Sequence, residues 1–138
     1  MSEESTFVML KPDCMKRGLV GEIITRIERK GYRIIEAKMM KLTATFLYEH
    51  YAHLADQPYF PKILRHMMSG PVMGIIVRGE DAVMGMRTLV GATMIEDAQA
   101  GTIRGDYALS TVNNLIHCSH TAELGQIEVR RFFGSKAQ

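Results

Sequence analysis

Two histidines, a cysteine and a serine are crowded into the stretch "NNLIHCSHTAE" at residues 113–123. An imidazole is an available nucleophile near neutral pH because its neutral form is well populated there. His117 closes a short apolar run, so we expect it at the end of a strand, where reactive groups are often presented. The stretch therefore predicts a nucleophilic histidine, a metal site or an ordinary surface turn.

The alternatives differ in the partners that they need. A nucleophilic His117 needs a partner at its second ring nitrogen to fix its tautomer, and Ser119 and a carboxylate of the next helix, Glu123 or Glu128, are candidates. A metal site would use His117, Cys118 and His120. Zinc sites usually need a second cluster to complete four ligands, and this spacing matches no familiar zinc pattern. The residues alone leave these alternatives open.

A second candidate site lies in the loop "AGTIRGDYA" at residues 100–108. Glycines let the backbone approach a ligand closely, and the forked donors of Arg104 suit phosphate. Arg87 lies on the predicted helix that leads into this loop, and Lys11 ends the first predicted strand. The sequence has no P-loop and no G-x-G-x-x-G fingerprint, which excludes the common nucleotide-binding folds as sequence matches. Individually, each of these cations is more typical of a solvated surface charge, so phosphate handling stays a hypothesis at this point.

Length and composition bound the class of protein. The 138 residues predict a single domain over 1–138, long enough to bury a sizeable core. A net charge of +2 is too mild to indicate nucleic-acid or membrane binding by bulk electrostatics. The two cysteines form no closely spaced pair, and the acidic start lacks the basic residues of a signal peptide. We therefore expect a cytoplasmic protein without a membrane span.

The apolar periodicity predicts the order β-α-β-α-α-β-α-β-α. Buried or alternating runs predict four strands, at 6–10, 32–41, 72–78 and 113–117. Helical spacing predicts five helices, at 20–30, 44–55, 60–68, 81–90 and 120–133. The long stretch 91–112 reads as a loop, and loops of this length are usually functional. We expect an α/β (α+β) sandwich with a ferredoxin-like four-stranded antiparallel sheet and helices packed on it.

Several short motifs resemble those of the nucleoside diphosphate kinase family, in family order and over nearly the whole chain. They are "KPD" at 11–13, "RGLVGEII" at 17–24, "HY" at 50–51, "SGPV" at 69–72, "GAT" at 91–93, "GTIRGD" at 101–106 and "NLIHCS" at 114–119. The last surrounds the family's catalytic histidine. One such tripeptide would mean little, but this collinear set is a strong signal.

The resemblance implies a ping-pong phosphotransferase. His117 would accept the γ-phosphate of a nucleoside triphosphate as phosphohistidine, and a nucleoside diphosphate would then take it. The resemblance also implies that Glu128 orients the histidine and that Ser119 supports Glu128. The implied nucleotide contacts are Arg87, Arg104 and Thr93 to phosphates, Lys11 and Asn114 to the ribose and the phosphate end, Tyr51 near the transferred group, and Tyr59 stacked on the base.

The resemblance has further implications for cofactor and assembly. Mg²⁺ would arrive bridging the nucleotide phosphates, so no protein metal cage is expected. A homo-oligomer is implied, with a hexamer as the first expectation and a tetramer as the second. Broad use of bases is also expected, since stacking is largely indifferent to base identity.

Three residues depart from the family pattern. Cys118 replaces a glycine, and would be strained if that backbone needed positive φ. His120 and His53 stand where the family often has acids. These departures motivate an alternative function, a nucleotide-binding or scaffold module without catalytic activity.

Overall fold

The computed structural model describes residues 3–134. Its four strands are β1 (Glu3–Leu10), β2 (Arg33–Met40), β3 (Val72–Glu80) and β4 (Ile116–Cys118). Its seven α-helices are α1 (Pro12–Lys16), α2 (Val20–Lys30), α3 (Ala44–His50), α4 (Phe60–Met67), α5 (Ala82–Val90), α6 (Ile103–Tyr107) and α7 (Ala122–Phe133). Short 3₁₀ turns follow α3 at Ala52–Leu54 and α5 at Ile95–Asp97. None of these helices is long and apolar enough to cross a bilayer.

The strands form one antiparallel sheet in the order β2-β3-β1-β4. The predicted ferredoxin-like sheet is therefore confirmed, and the structure adds the strand order that periodicity left open. β1 is central because it is apolar on both faces, with Phe7 to Leu10 fully buried. β2 is an edge strand, and most of its residues are exposed.

Helices cover both faces of the sheet. Alternate residues of β1 point to opposite faces, so Val8 and Leu10 pack with α2, α5 and α6, whereas Phe7 and Met9 pack with α3, α4 and α7. The apolar stripe of α2, which includes Ile23 and Ile27, is buried as its spacing predicts. Gly31 ends this helix with φ 111°, a left-handed conformation that glycine adopts without strain.

The region from 91 to 118 differs most from the sequence prediction. β4 begins at Ile116 and ends at Cys118, not at 113–117 as predicted. The preceding asparagines stay outside the strand because Leu115 adopts φ 77° and breaks the extended backbone. The predicted loop contains the short helix α6, whose N-cap Thr102 accepts a hydrogen bond from the Gly105 N–H.

Candidate active site

A single cavity of about 850 Å³ collects the sequence-predicted residues. It is lined by Lys11, Tyr51, Tyr59, Arg87, Thr93, Arg104, Asn114, His117 and Glu128. Ser119 is fully buried, and its hydroxyl donates a hydrogen bond to Glu128. All five histidines of the chain, at positions 50, 53, 66, 117 and 120, also line this cavity.

His117 is carried by β4, opposite Met9 of β1. This register turns its ring to the sheet face that α3 and α7 cover. Glu128 lies on the buried face of α7 and approaches the His117 ring on this side of the sheet. Its Oε1 is 2.8 Å from His117 Nε2. A carboxylate at Nε2 holds the proton on that nitrogen, so the neutral ring has its lone pair at Nδ1.

Glu128 is held ionised by its partners. Burial opposes its ionisation, but hydrogen bonds from His117 and from the Ser119 hydroxyl, 2.6 Å away, keep the pKa of Glu128 at about 2. The carboxylate is therefore charged throughout the physiological pH range. It can stabilise positive charge that develops on the imidazole.

Two buried cations lie on the opposite wall. Lys11 Nζ donates to Asn114 Oδ1 at 2.8 Å, and desolvation lowers the pKa of Lys11 to about 8. Arg104 donates to the carbonyls of Gly91 and Ile116, and its buried Nε has no hydrogen-bond partner among residues 3–134. Among residues 3–134 neither side chain forms an ion pair with a carboxylate, although the Asp13 charge acts on Lys11, so both are suited to bind an anion.

The remaining polar side chains are more accessible. Arg87 on α5 contacts the His120 ring, with its Nη1 2.6 Å from Nδ1. Burial, followed by the Arg87 charge, lowers the pKa of His120. Desolvation raises the pKa of Tyr51 to about 12, so its hydroxyl stays protonated and can donate. Tyr59, which precedes α4, is 49% exposed and offers its ring at the cavity mouth.

Cys118 faces away from His117. Successive strand residues point to opposite sides of the sheet, and Cys118 packs in the core with Val8 and Ile116. Its φ lies outside the left-handed region, which among non-glycine residues 3–134 only Asp81 and Leu115 adopt. The substitution therefore introduces no backbone strain, and burial raises the pKa of the thiol.

The structure does not assemble the metal ligands considered from the sequence. Cys118 and His117 diverge, and His120 contacts Arg87. Within residues 3–134, the one group with suitable spacing is His50, His117 and Glu128, whose ligand atoms lie within 4.8 Å of one another. There, one histidine nitrogen already bonds Glu128 and another accepts from the Arg131 guanidinium. This adjacent cation opposes binding of a second one.

Three residues of the site, Asp13, His50 and Arg131, were given no role by the sequence analysis. Asp13 Oδ2 accepts a hydrogen bond from the Leu115 N–H at 3.0 Å. This contact stabilises the left-handed conformation of Leu115, which sets the direction in which the chain enters β4. His50 and Arg131 form a contact behind His117. The motif "KPD" contains Asp13, but its partner lies 102 residues away, and the sequence carries no signal for that pairing.

Comparisons with known proteins show which family the chain resembles. The family profile described as "Nucleoside diphosphate kinase" matches residues 4–137. A protein of that name from Moorella thermoacetica is 42% identical over 96% of both chains, and one from Thermus thermophilus is 46% identical over 94% of this chain and 95% of its own.

Solved structures show the same likeness. The nucleoside diphosphate kinase of Encephalitozoon cuniculi has a TM-score of 0.94 and 41% identity, covering 98% of this chain and 92% of its own. That of Halobacterium salinarum, solved in complex with CDP, has a TM-score of 0.93 and 41% identity, covering 99% and 91%. The resemblance seen in the sequence is thereby confirmed, with the predictions of a transferase and kinase of nucleotide metabolism. The chain belongs to the nucleoside diphosphate kinase family of enzymes.

Proposed function

We propose that this protein transfers the γ-phosphate of a nucleoside triphosphate to a nucleoside diphosphate through a phosphohistidine at His117. One observation carries the proposal: Glu128 binds Nε2 of His117, so the lone pair lies on Nδ1 of a ring that lines the same cavity as Lys11, Arg87 and Arg104. A neutral imidazole with a fixed tautomer is a competent nucleophile, and positive walls suit a triphosphate.

The transfer has two steps. The Nδ1 lone pair of His117 attacks the γ-phosphorus, an N–P bond forms, and the bond to the β-phosphate oxygen breaks. Glu128 stabilises the charge that the ring acquires, through the Nε2–H hydrogen bond. A terminal oxygen of the second diphosphate then attacks the phosphorus, the N–P bond breaks, and the lone pair returns to Nδ1.

The cavity walls suggest how a nucleotide lies. Arg87, Arg104 and Thr93 would hold phosphates, and Lys11 with Asn114 would meet the ribose and the phosphate end. The Tyr51 hydroxyl would donate near the transferred group. The exposed ring of Tyr59 offers a stacking surface for any base.

Mg²⁺ fits this site as a partner of the nucleotide. The acids that line the cavity are Glu128, which already bonds His117 and Ser119, and the exposed Glu49, which faces Arg131. This donor set provides no carboxylate cage. The ion would be held by the phosphates, whose charge it neutralises.

Assembly and localisation are part of the same proposal. We propose a homo-oligomer, a hexamer first and a tetramer second. The solvent-facing edge strand β2, with Ile35 48% and Met39 53% exposed, offers an apolar and unpaired surface for a second copy. Two buried free thiols, Cys14 and Cys118, suit the reducing cytoplasm.

Labelling with γ-³²P ATP and no acceptor tests the central claim. We expect acid-labile label on His117, released as a labelled triphosphate when a diphosphate of another base is added. His117→Gln should take up no label, whereas the control His53→Gln should label normally. Nucleotide binding without any phosphoenzyme would instead support the alternative of a catalytically inactive binding module.

A further inference from the structure

His50 is a buried imidazole with no part in the transfer steps above. It is the last residue of α3 and only 7% exposed. Its ring centroid lies 4.8 Å from that of His117, at an interplanar angle of 74°. The rings of Phe46 and Tyr51 pack against it at 5.7 and 4.8 Å. His50 is therefore confined beside the nucleophile and cannot turn freely.

Arg131 contacts this ring from α7. Its Nη1 lies 3.1 Å from His50 Nδ1, and its side chain is only 16% exposed. A guanidinium carries donors only, so the contact requires a lone pair on Nδ1. A neutral imidazole that accepts at Nδ1 has its proton on Nε2.

We propose that Arg131 is a positioning residue that holds His50 as the neutral Nε2–H tautomer beside the His117–Glu128 pair. The tautomer follows from the contact alone, and its effect on transfer rests on the proposed function. A proton added to His50 would have to enter at Nδ1, where it would face the guanidinium. His50 therefore cannot act as a second base beside His117. Of these two rings, only His117 keeps an accessible lone pair.

The charges around His50 agree with this role. Glu49 and Tyr51 come from its own segment, His53 from the following 3₁₀ turn, His117 from β4, and Glu128 and Arg131 from α7. Desolvation, His117 and Arg131 lower the pKa of His50 to about 3, and only Glu128 opposes them among the main causes. Arg131 Nε is 3.7 Å from the exposed Glu49 carboxylate, which orients the guanidinium from the solvent side.

The tautomer can be read directly by ¹⁵N NMR of the intact protein labelled at histidine. We expect the wild-type His50 signals to report Nε2–H and to stay constant from pH 8 to 5. In Arg131→Met, His50 should populate the other tautomer, and it should take up a proton at a higher pH than in the wild type. Arg131→Lys, which keeps one donor, should restore most of the wild-type pattern. Arg130→Met, an exposed arginine of the same helix, is the matched control and should change nothing.

The pH dependence of phosphoenzyme formation supplies a second readout. We expect an additional ionisation in Arg131→Met, below pH 6.5, that is absent from the wild type and from Arg130→Met, because losing the guanidinium raises the pKa of His50 while desolvation still lowers it. A merely structural role would lower the rate at all pH values without adding an ionisation.

The outcomes separate this inference from the proposed function. A wild-type His50 with its proton on Nδ1 overturns the inference, and so does an unchanged tautomer in both Arg131 variants, even in an active enzyme. If Arg131→Met does not fold, the wild-type tautomer decides alone, since Nε2–H supports the inference and Nδ1–H overturns it. The expected spectra in a protein that forms no phosphoenzyme would instead contradict the proposed function.

Discussion

At the scale of single residues, the site depends on where each proton sits. Glu128 determines which nitrogen of His117 keeps a free lone pair, and Ser119 donates to the same carboxylate oxygen. Neither role depends on the residue type alone, because a glutamate elsewhere on α7 would be an ordinary surface charge. In the proposed transfer, this geometry makes the carboxylate an electrostatic partner of the imidazole.

Replacing Glu128 with glutamine should slow phosphoenzyme formation by on the order of 10²-fold, because the amide accepts from Nε2–H but provides no negative charge. Ser119→Ala should cost less, about tenfold or below, since it removes one hydrogen bond to a carboxylate that stays ionised. Single-turnover quench-flow with labelled ATP measures both rates. Equal losses in the two variants would contradict the electrostatic role of Glu128.

At the scale of elements, α7 must lie close to the sheet for Glu128 and Arg131 to reach their partners. The close approach occurs at Gly74 of β3, where an added Cβ would collide with the ring of Phe132. That ring cannot move aside easily, because it is buried and packed against Phe7 and Phe133 at centroid distances of 5.4 and 5.1 Å. The glycine is therefore required for space.

Gly74→Ala should destabilise the fold by about 1–3 kcal/mol and lower the transfer rate, because α7 must shift outward with Glu128. Urea denaturation and the exchange assay measure the two effects. Gly21→Ala on α2 is the matched control, since its Cβ would meet nothing within 4 Å and should be neutral or slightly stabilising. Full stability in Gly74→Ala would show that the helix–sheet spacing is looser than the structure indicates.

At the scale of the whole molecule, the site places titratable groups from α3, β4 and α7 inside the fold. The folded pKa of His50, about 3, lies below its ordinary value near 6.5. Between these two values His50 is protonated in the unfolded chain but not in the folded chain. The free energy of unfolding therefore falls as the pH falls from 6.5 towards 3. The lowered pKa of Glu128 acts in the same direction, between 4.5 and about 2.

We expect the free energy of unfolding to fall by on the order of 2 kcal/mol between pH 6.5 and 5 because of His50, at 1.36 kcal/mol per pH unit. His50→Gln, whose side-chain oxygen can still accept from Arg131, should flatten this part of the profile. Urea denaturation of the wild type and of His50→Gln at a series of pH values measures the difference between the two profiles. Parallel profiles in the two proteins would assign the acid lability to other groups.

The sequence by itself determined the family and the alternation of strands and helices, and it nominated nine of the residues that line the cavity, because periodicity and short motifs are local properties of the chain. It misjudged β4, since the left-handed turn at Leu115 depends on Asp13, far away in sequence, and it overlooked the short helix α6. Only the tertiary structure decided that Cys118 faces the core, that Glu128 binds Nε2, and that Arg131 engages His50. These features arise from contacts between elements distant in sequence, and their energies depend on burial and direction that no local pattern encodes.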